Sequence, residues 1–316
     1  AALAPSGEPV WHDMAVRSGR AIVALEQSGI RSQDIVTDDA IHNAMVVHAA
    51  FGGSTNLLLH VPAIAHAAGL RRPLVADWDR VNRQVPRIVD VLPNGPQFHV
   101  TVRAFLAGGV PEVMLHLRAM GLLKLDAMTA TGRRLGDNLA WWEQSDRRTR
   151  FRDILQQQDG VDPDDVIMGP AAAQAKGMTS TVCFPTGNLA PEGSVVKATA
   201  IAADMLDDDG VYSQRGPARV FTSEKAAMAA IKADEIRAGD VMVLLSCGPM
   251  GTGMEEIAQV TIALKYCDFG KDVALRRVRA IVNVNDDTPR PAGFIVAVGS
   301  GHADQASAQI HIAGLP

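Results

Sequence analysis

The chain has 316 residues, a formal net charge of −5 and a pI of about 6.0, with 47% hydrophobic and 21% charged residues. This composition excludes disorder over most of the length, because the chain can bury enough apolar surface to offset its ordering entropy. The acidic balance argues against nucleic acid as the main partner. No run approaches the ~20 uninterrupted apolar residues of a membrane span, which argues against a membrane partner.

Helix caps and glycines predict a first helix between residues 37 and 53. Thr37 is a typical N-cap, and Asp38 and Asp39 suit the positive end of the helix dipole. The Gly52-Gly53 pair predicts the end of this helix. Its predicted core-facing side carries Ile41, Ala44, Met45 and His48.

A second helix is predicted to follow at once, with Ser54 as its N-cap and a stop at Gly69. Pro62 lies inside this helix and predicts a kink. Further helices are predicted over residues 78–91, 102–105, 111–120 and 139–157.

Short β-type runs replace the helical pattern after the turn-rich segment 159–165. Strands are predicted over residues 179–184, 194–200, 218–221 and 241–246, and helices over residues 223–231 and 255–265. The sequence therefore predicts an α/β chain. A helix-rich α/β domain covers residues 1–165, and a β-rich domain covers residues 166–275.

The segment 52–56, Gly-Gly-Ser-Thr-Asn, lies between the first two predicted helices. Its glycines would let the backbone approach a ligand, and the next helix N-terminus would favour a carboxylate or phosphate. A tight helix–helix turn with a serine cap explains the same residues, and on local grounds it is the stronger interpretation.

A second glycine-rich segment, residues 248–256, follows a predicted strand and opens a predicted helix. Its glycine spacing fits neither the dinucleotide fingerprint nor a P-loop, which disfavours a nucleotide-binding enzyme. The loop could form a backbone anion site, and Glu256 could ligate Mg²⁺. Stabilisation of the helix dipole is a sufficient alternative explanation for Glu255 and Glu256.

The cysteines Cys183, Cys247 and Cys267 match no short-spaced metal or redox motif. We interpret them as buried free thiols of a protein in a reducing cytoplasm.

Taken together, several segments resemble the dihydroxy-acid and sugar-acid dehydratase family, and most closely its bacterial xylonate dehydratase branch. The matching segments occur in the family's order. They cover residues 43–56, 105–111, 187–197, 216–224, 238–243 and 248–257.

This resemblance implies a homo-oligomeric cytoplasmic hydro-lyase whose substrate is a small sugar acid. Such an enzyme removes water from a 2,3-dihydroxy acid and gives a 2-keto-3-deoxy acid. The family uses an iron–sulfur cluster as Lewis acid, Mg²⁺ on the substrate carboxylate and C2 hydroxyl, and a serine as base. The implied fold is a helix-flanked α/β domain followed by a barrel-like β domain.

Carried over by position, Glu256 matches the family's Mg²⁺-binding glutamate, and Ser54, Thr55 and Asn56 match a motif that lines the substrate site. The family's cluster cysteines and its other metal ligands lie upstream of the position that matches Ala1. The family's catalytic serine has no counterpart after Leu275, and residues 276–316 are unlike the family.

The resemblance therefore predicts an internal piece of a dehydratase, with both domains incomplete and no activity by itself. A frameshift, truncation or sequencing error near codon 275 would explain the unusual tail. The competing hypothesis is a non-catalytic remnant or an anion-binding module that uses the two glycine-rich loops.

Overall fold

The structure, a computed structural model, describes residues 6–186, 194–201, 203–245, 258–278 and 307–312. The chain divides into two compact units. The first contains Ala1–Pro73 and Asp77–Thr181, and the second contains Leu74–Ala76 and Val182–Pro316.

The first compact unit includes residues beyond the predicted domain boundary, which stays a prediction. Its last segment, residues 166–181, lies beyond the predicted boundary at 165/166. This segment belongs with the first unit because backbone hydrogen bonds join it to the chain around residue 89. Asp90 N donates to Val166 O at 2.9 Å, and Met168 N donates to Ile88 O at 3.0 Å.

Helices form most of the described chain up to residue 181. They are α1 Pro9–Gln27, α2 Ser32–Ile35, α3 Asp38–Phe51, α4 Leu57–Ala67, α5 Val75–Gln84, α6 Thr101–Leu106, α7 Gly109–Ala119, α8 Leu135–Glu143, α9 Asp146–Asp159, α10 Pro163–Val166 and α11 Pro170–Ala175. No helix among the described residues combines the length and the apolar character needed to cross a membrane.

Helix α3 confirms most of its sequence prediction. The Thr37 hydroxyl accepts a hydrogen bond from Ala40 N at 3.3 Å, and Gly52 ends the helix with a left-handed φ of 70°. Ile41, Met45 and His48 are buried as predicted. Ala44 is exposed instead, so the predicted core-facing side was wrong at that position.

Two other helix predictions were wrong at their ends. The predicted helix 78–91 stops at Gln84, and residues 86–91 are not helical. Pro86 explains this, because a proline disfavours helical geometry at the residue before it. The predicted helix 139–157 is two helices, because the Ser145 hydroxyl caps α9 by accepting from Arg148 N at 3.3 Å.

The second unit contains two small sheets among its described residues. Its strands are β1 Val182–Cys183, β2 Val196–Lys197, β3 Tyr212–Phe221, β4 Val241–Leu245, β5 Ala274–Val278 and β6 Ser307–Ile312. Strands β1 and β2 pair antiparallel, and the four-stranded sheet has the order β5-β4-β3-β6. Strand β4 is parallel to β3 and β5, whereas β6 is antiparallel to β3.

Two helices connect the parallel strands. Helix α12, Glu224–Lys232, lies between β3 and β4 along the chain, and α13, Ala258–Lys265, lies between β4 and β5. Met242 and Leu244 pack with these helices on one face of β4, while Val241 and Val243 pack on the other. A strand buried on both faces reads as a continuous apolar run, as this one does.

The predicted strand 218–221 falls within β3, and the predicted strand 241–246 matches β4 up to Leu245, while residue 246 lies outside the described residues. Of the predicted strand 194–200, only Val196–Lys197 pairs, because Ala198–Ala200 turns into a 3₁₀ helix. Strand β6 was missed, since its pairing with β3 is non-local. A barrel-like second domain stays a prediction.

A candidate site at the turn between α3 and α4

The three residues predicted to contact substrate form the turn that leads into α4. Ser54 is exposed, and Thr55 and Asn56 are half-buried. The helix N-cap is Asn56 and not Ser54 as predicted. The Ser54 hydroxyl accepts from Asn56 N at 3.3 Å, and the Ser54 carbonyl accepts from Leu57 N at 3.1 Å. Ser54 therefore organises the turn one step before the helix begins.

Gly52 allows the backbone to enter this turn under close packing. A Cβ atom at Gly52 would lie 2.7 Å from Thr181 Cγ2 and 3.0 Å from Arg87 Cδ, and its φ of 70° also disfavours side chains. The Gly52 carbonyl accepts a hydrogen bond from Asn94 Nδ2 at 2.9 Å. Glycine is thus required here for both conformation and space.

Gly53 is required for a different reason. Its φ is outside the left-handed region, but a Cβ atom there would collide with His48 Cδ2 and lie 3.1 Å from His48 Cγ. The His48 ring is 3% exposed and meets the Trp78 ring edge-on at 5.2 Å. Its Nε2 lies 3.0 Å from the Ser54 carbonyl oxygen. The imidazole therefore fills the space beneath the turn.

The guanidinium of Arg87 holds together the chain segments that face Gly52. Arg87 Nε donates to Thr179 O at 2.7 Å, and its Nη1 donates to Gly95 O at 2.6 Å. Burial lowers the pKa of the Arg87 guanidinium, and the charge of Asp90 opposes this shift. Asp90 itself is fully buried. Its carboxylate accepts hydrogen bonds from the backbone N–H groups of residues 97 and 98, at 2.8 and 2.9 Å.

The sequence prediction missed Arg87, Asp90 and Asn94. The predicted helix 78–91 concealed the first two, because on a helix they would read as ordinary surface charges. Their partners are non-local, and Thr179 lies 92 residues beyond Arg87. The signal that could have located them is Pro86, which ends the helix immediately before Arg87.

The burial of three histidines in the first unit predicts a fold that loses stability in acid. Burial lowers the pKa of His48, His99 and His116 below the ordinary value of 6.5. Between these lowered pKa values and 6.5, the unfolded chain therefore binds more protons than the folded chain. The free energy of unfolding has its full value above pH 6.5 and decreases as the pH falls from 6.5 toward the pKa values of the folded state. We expect a slope of up to about 1.4 kcal/mol per pH unit per histidine.

Urea unfolding at pH 7.5, 6.5 and 5.5 measures this slope through tryptophan fluorescence. The reporters all lie in the first unit and are Trp11, Trp78, Trp141 and Trp142. A variant with glutamine at all three histidine positions should show a flatter profile. An identical slope in the two proteins would contradict the prediction.

The predicted metal ligand Glu256 lies outside the described residues, as does the whole glycine-rich segment 248–256. Cys247 lies outside them as well. Cys183 and Cys267 form no disulfide and pack in separate apolar clusters. Within the described ranges, no three His, Cys, Asp or Glu side chains come together to hold a metal ion. The described residues therefore do not by themselves fit an iron–sulfur cluster or a Mg²⁺ site.

Comparison with known families defines the class of protein. The dihydroxy-acid/6-phosphogluconate dehydratase N-terminal model matches residues 1–138, and the corresponding C-terminal model matches residues 167–276. The chain belongs to this dehydratase family, which confirms the resemblance carried by its motifs.

Within the family, the chain is more similar to some members than to others. The chain is 64% identical to D-xylonate dehydratase YagF and 60% identical to D-xylonate dehydratase YjhG, both of Escherichia coli (strain K12). Each alignment spans 274 residues, 87% of this chain and 42% of the relative. Dihydroxy-acid dehydratase 1 of Nocardia farcinica (strain IFM 10152) is 40% identical over 260 residues, 82% of this chain and 41% of the relative. The chain thus spans less than half the length of these relatives.

Proposed function

We propose that this chain forms part of a hydro-lyase that removes water from a sugar acid of the D-xylonate type and yields a 2-keto-3-deoxy acid. The observation that carries the proposal is the 64% identity to a D-xylonate dehydratase over 274 residues. A homo-oligomeric state and a cytoplasmic location are part of the same proposal.

The turn suits contact with a polyhydroxy acid. Ser54 and Thr55 carry hydroxyl groups that can both donate and accept hydrogen bonds, and the Asn56 side chain adds amide donors and an acceptor. The close packing around Gly52 and Gly53 and the buried His48 and Arg87 fix the backbone beneath them. In this proposal the chain's own residues bind and orient the sugar hydroxyls.

Metal cofactors belong to the proposal only through the family. An iron–sulfur cluster and Mg²⁺ would supply Lewis acidity when bound. Glu256 remains the predicted Mg²⁺ ligand, and the described residues supply no other member of either site. No step is therefore assigned to these groups.

An anion-binding module is the alternative, but the geometry of the first glycine-rich loop weakens it. An anion nest needs backbone N–H groups that point at the ligand. Gly52 N already donates to Ala49 O, and Gly53 N donates to His48 O. Asn56 N donates to the Ser54 hydroxyl. These three donors are engaged within the turn and cannot point at a bound anion, so a backbone nest would depend on the N–H groups of Ser54 and Thr55.

Calorimetric titration of the 316-residue chain with D-xylonate, with and without Mg²⁺, tests the proposal. We expect binding that requires Mg²⁺, and at least about tenfold weaker binding in Thr55→Val, the equivalent of one hydrogen bond to a charged ligand. Glu256→Gln should abolish the Mg²⁺-dependent binding, whereas Glu8→Gln, at an exposed position, should leave it unchanged.

The two hypotheses separate in this titration. Binding that ignores both Mg²⁺ and the Glu256→Gln substitution would favour the anion-binding module. Absence of D-xylonate binding under every condition would contradict both.

A further inference from the structure

His48 lies directly beneath the turn that the proposed function assigns to substrate contact. We propose that His48 is a positioning residue, whose Nε2–H group holds the Ser54 carbonyl and thereby fixes the turn from Ser54 to Asn56. This inference rests on the proposed function for its link to substrate. The interaction between His48 and the turn is independent of that function.

The hydrogen bond defines the tautomer of the ring. A carbonyl oxygen can only accept, so the 3.0 Å contact to Ser54 O requires the proton on Nε2. His48 Nδ1 is buried and has no hydrogen-bond partner among the described residues. The ring is therefore a neutral donor, and its contact through Nε2 is directed at the turn.

The acceptor is a critical atom of the turn. The Ser54 carbonyl that receives the His48 proton also receives Leu57 N at 3.1 Å. Leu57 is the first residue of α4. One carbonyl thus joins the C-terminal part of α3 to the start of α4. Loss of the His48 donor would release both the carbonyl and the residues that follow it.

The packing at Gly53 is a second, independent observation that the position of the His48 ring is fixed. Its backbone conformation tolerates alanine, yet a Cβ atom would collide with the His48 ring. The glycine is therefore required by the histidine and not by the backbone. The two positions should be energetically coupled, which a double-mutant cycle measures directly.

Nuclear magnetic resonance on the ¹⁵N-histidine-labelled chain tests the tautomer. We expect ring nitrogen shifts that place the proton of His48 on Nε2 at pH 7. In His48→Leu, amide hydrogen exchange at Leu57 should accelerate about tenfold, the effect of losing one hydrogen bond. His48→Gln keeps an N–H donor and should restore slow exchange, and His66→Leu, at an exposed site on α4, is the control.

A proton on Nδ1, unchanged exchange in His48→Leu, or equal acceleration in His48→Gln would overturn the proposal. Where His48→Leu fails to fold, the tautomer of the parent chain and the exchange in His48→Gln decide, and the cycle adds a separate test of the coupling to Gly53. Gly53→Ala should destabilise the parent and have little effect in His48→Ala, and additive effects would overturn the proposal.

A separate measurement of D-xylonate affinity tests the link between His48 and the substrate. D-Xylonate affinity should fall about tenfold in His48→Leu and recover in His48→Gln. The tautomer and exchange results hold whether or not the chain binds D-xylonate. Failure of the positioning role is therefore distinguishable from failure of the proposed function.

Discussion

Glu112→Gln is expected to lower the free energy of unfolding of the first unit by about 3 kcal/mol. The Glu112 side chain is 3% exposed and accepts two hydrogen bonds from Arg148, at 2.7 and 2.6 Å. Trp142 Nε1 donates to the same carboxylate at 3.3 Å, and Arg152 Nη1 lies 3.6 Å away. A neutral amide would leave a cluster of cations without its buried counter-charge.

The size of this effect follows from the partial burial of the cations. Arg148 and Arg152 retain 27% and 18% side-chain exposure, so water offsets part of their uncompensated charge. The loss should therefore lie at the low end of the range for breaking buried pairs. Hydrogen bonding to Glu112 raises the pKa of Arg148, which agrees with a strong interaction.

Urea unfolding followed by tryptophan fluorescence measures the loss. Glu143→Gln is the matched control, because Glu143 pairs with Arg118 at an exposed position and should cost less than about 1 kcal/mol. The double variant Glu112→Leu/Arg148→Met should be more stable than Glu112→Gln, since it removes a charge on each side. Equal losses at Glu112 and Glu143 would show that burial does not strengthen this pair.

Glu112 also shows what a sequence motif can and cannot reveal. The segment 105–111 identified the family, but its Gly-Gly pair had no physical explanation from sequence. In the structure, a Cβ atom at Gly108 would lie 2.7 Å from Glu112 Cβ, and the φ of Gly108 is 124°. The glycine makes room for the carboxylate that binds α9. A motif can thus identify relatives without revealing the contact that requires it.

Features with a local cause were predictable. The Thr37 cap and the Gly52 stop depend on hydrogen bonds and dihedral angles within a few residues, and both predictions were confirmed. Features with a distant cause were not. Residues 86–91 leave the helix to pair with residues near 167, and Arg87 reaches Thr179. Local helix signals carry no information about such contacts, so the sequence could not predict the residues that support the candidate turn, Arg87, Asp90 and Asn94.

The second large effect on stability is expected at Asp90, whose hydrogen bonds hold the segment that contacts the candidate turn. Asp90→Asn should lower the free energy of unfolding of the first unit by about 3 kcal/mol. The fully buried carboxylate accepts from Gln97 N and Phe98 N, and an amide in its place would turn an N–H group toward one of these donors. Asparagine would also remove the negative charge that favours the buried Arg87 cation.

The same substitution should reach the candidate turn through Asn94. The 94–98 segment is held by Asp90 at one end, while Asn94 Nδ2 holds the Gly52 carbonyl at the other. We therefore expect faster amide exchange at Gln97 and Phe98 in Asp90→Asn, together with weaker D-xylonate binding. Asp79→Asn, which removes a surface pair with Arg83, is the control and should leave both unchanged. A loss of stability without faster exchange at residues 97 and 98 would mean that Asp90 stabilises the unit as a whole and does not position the turn.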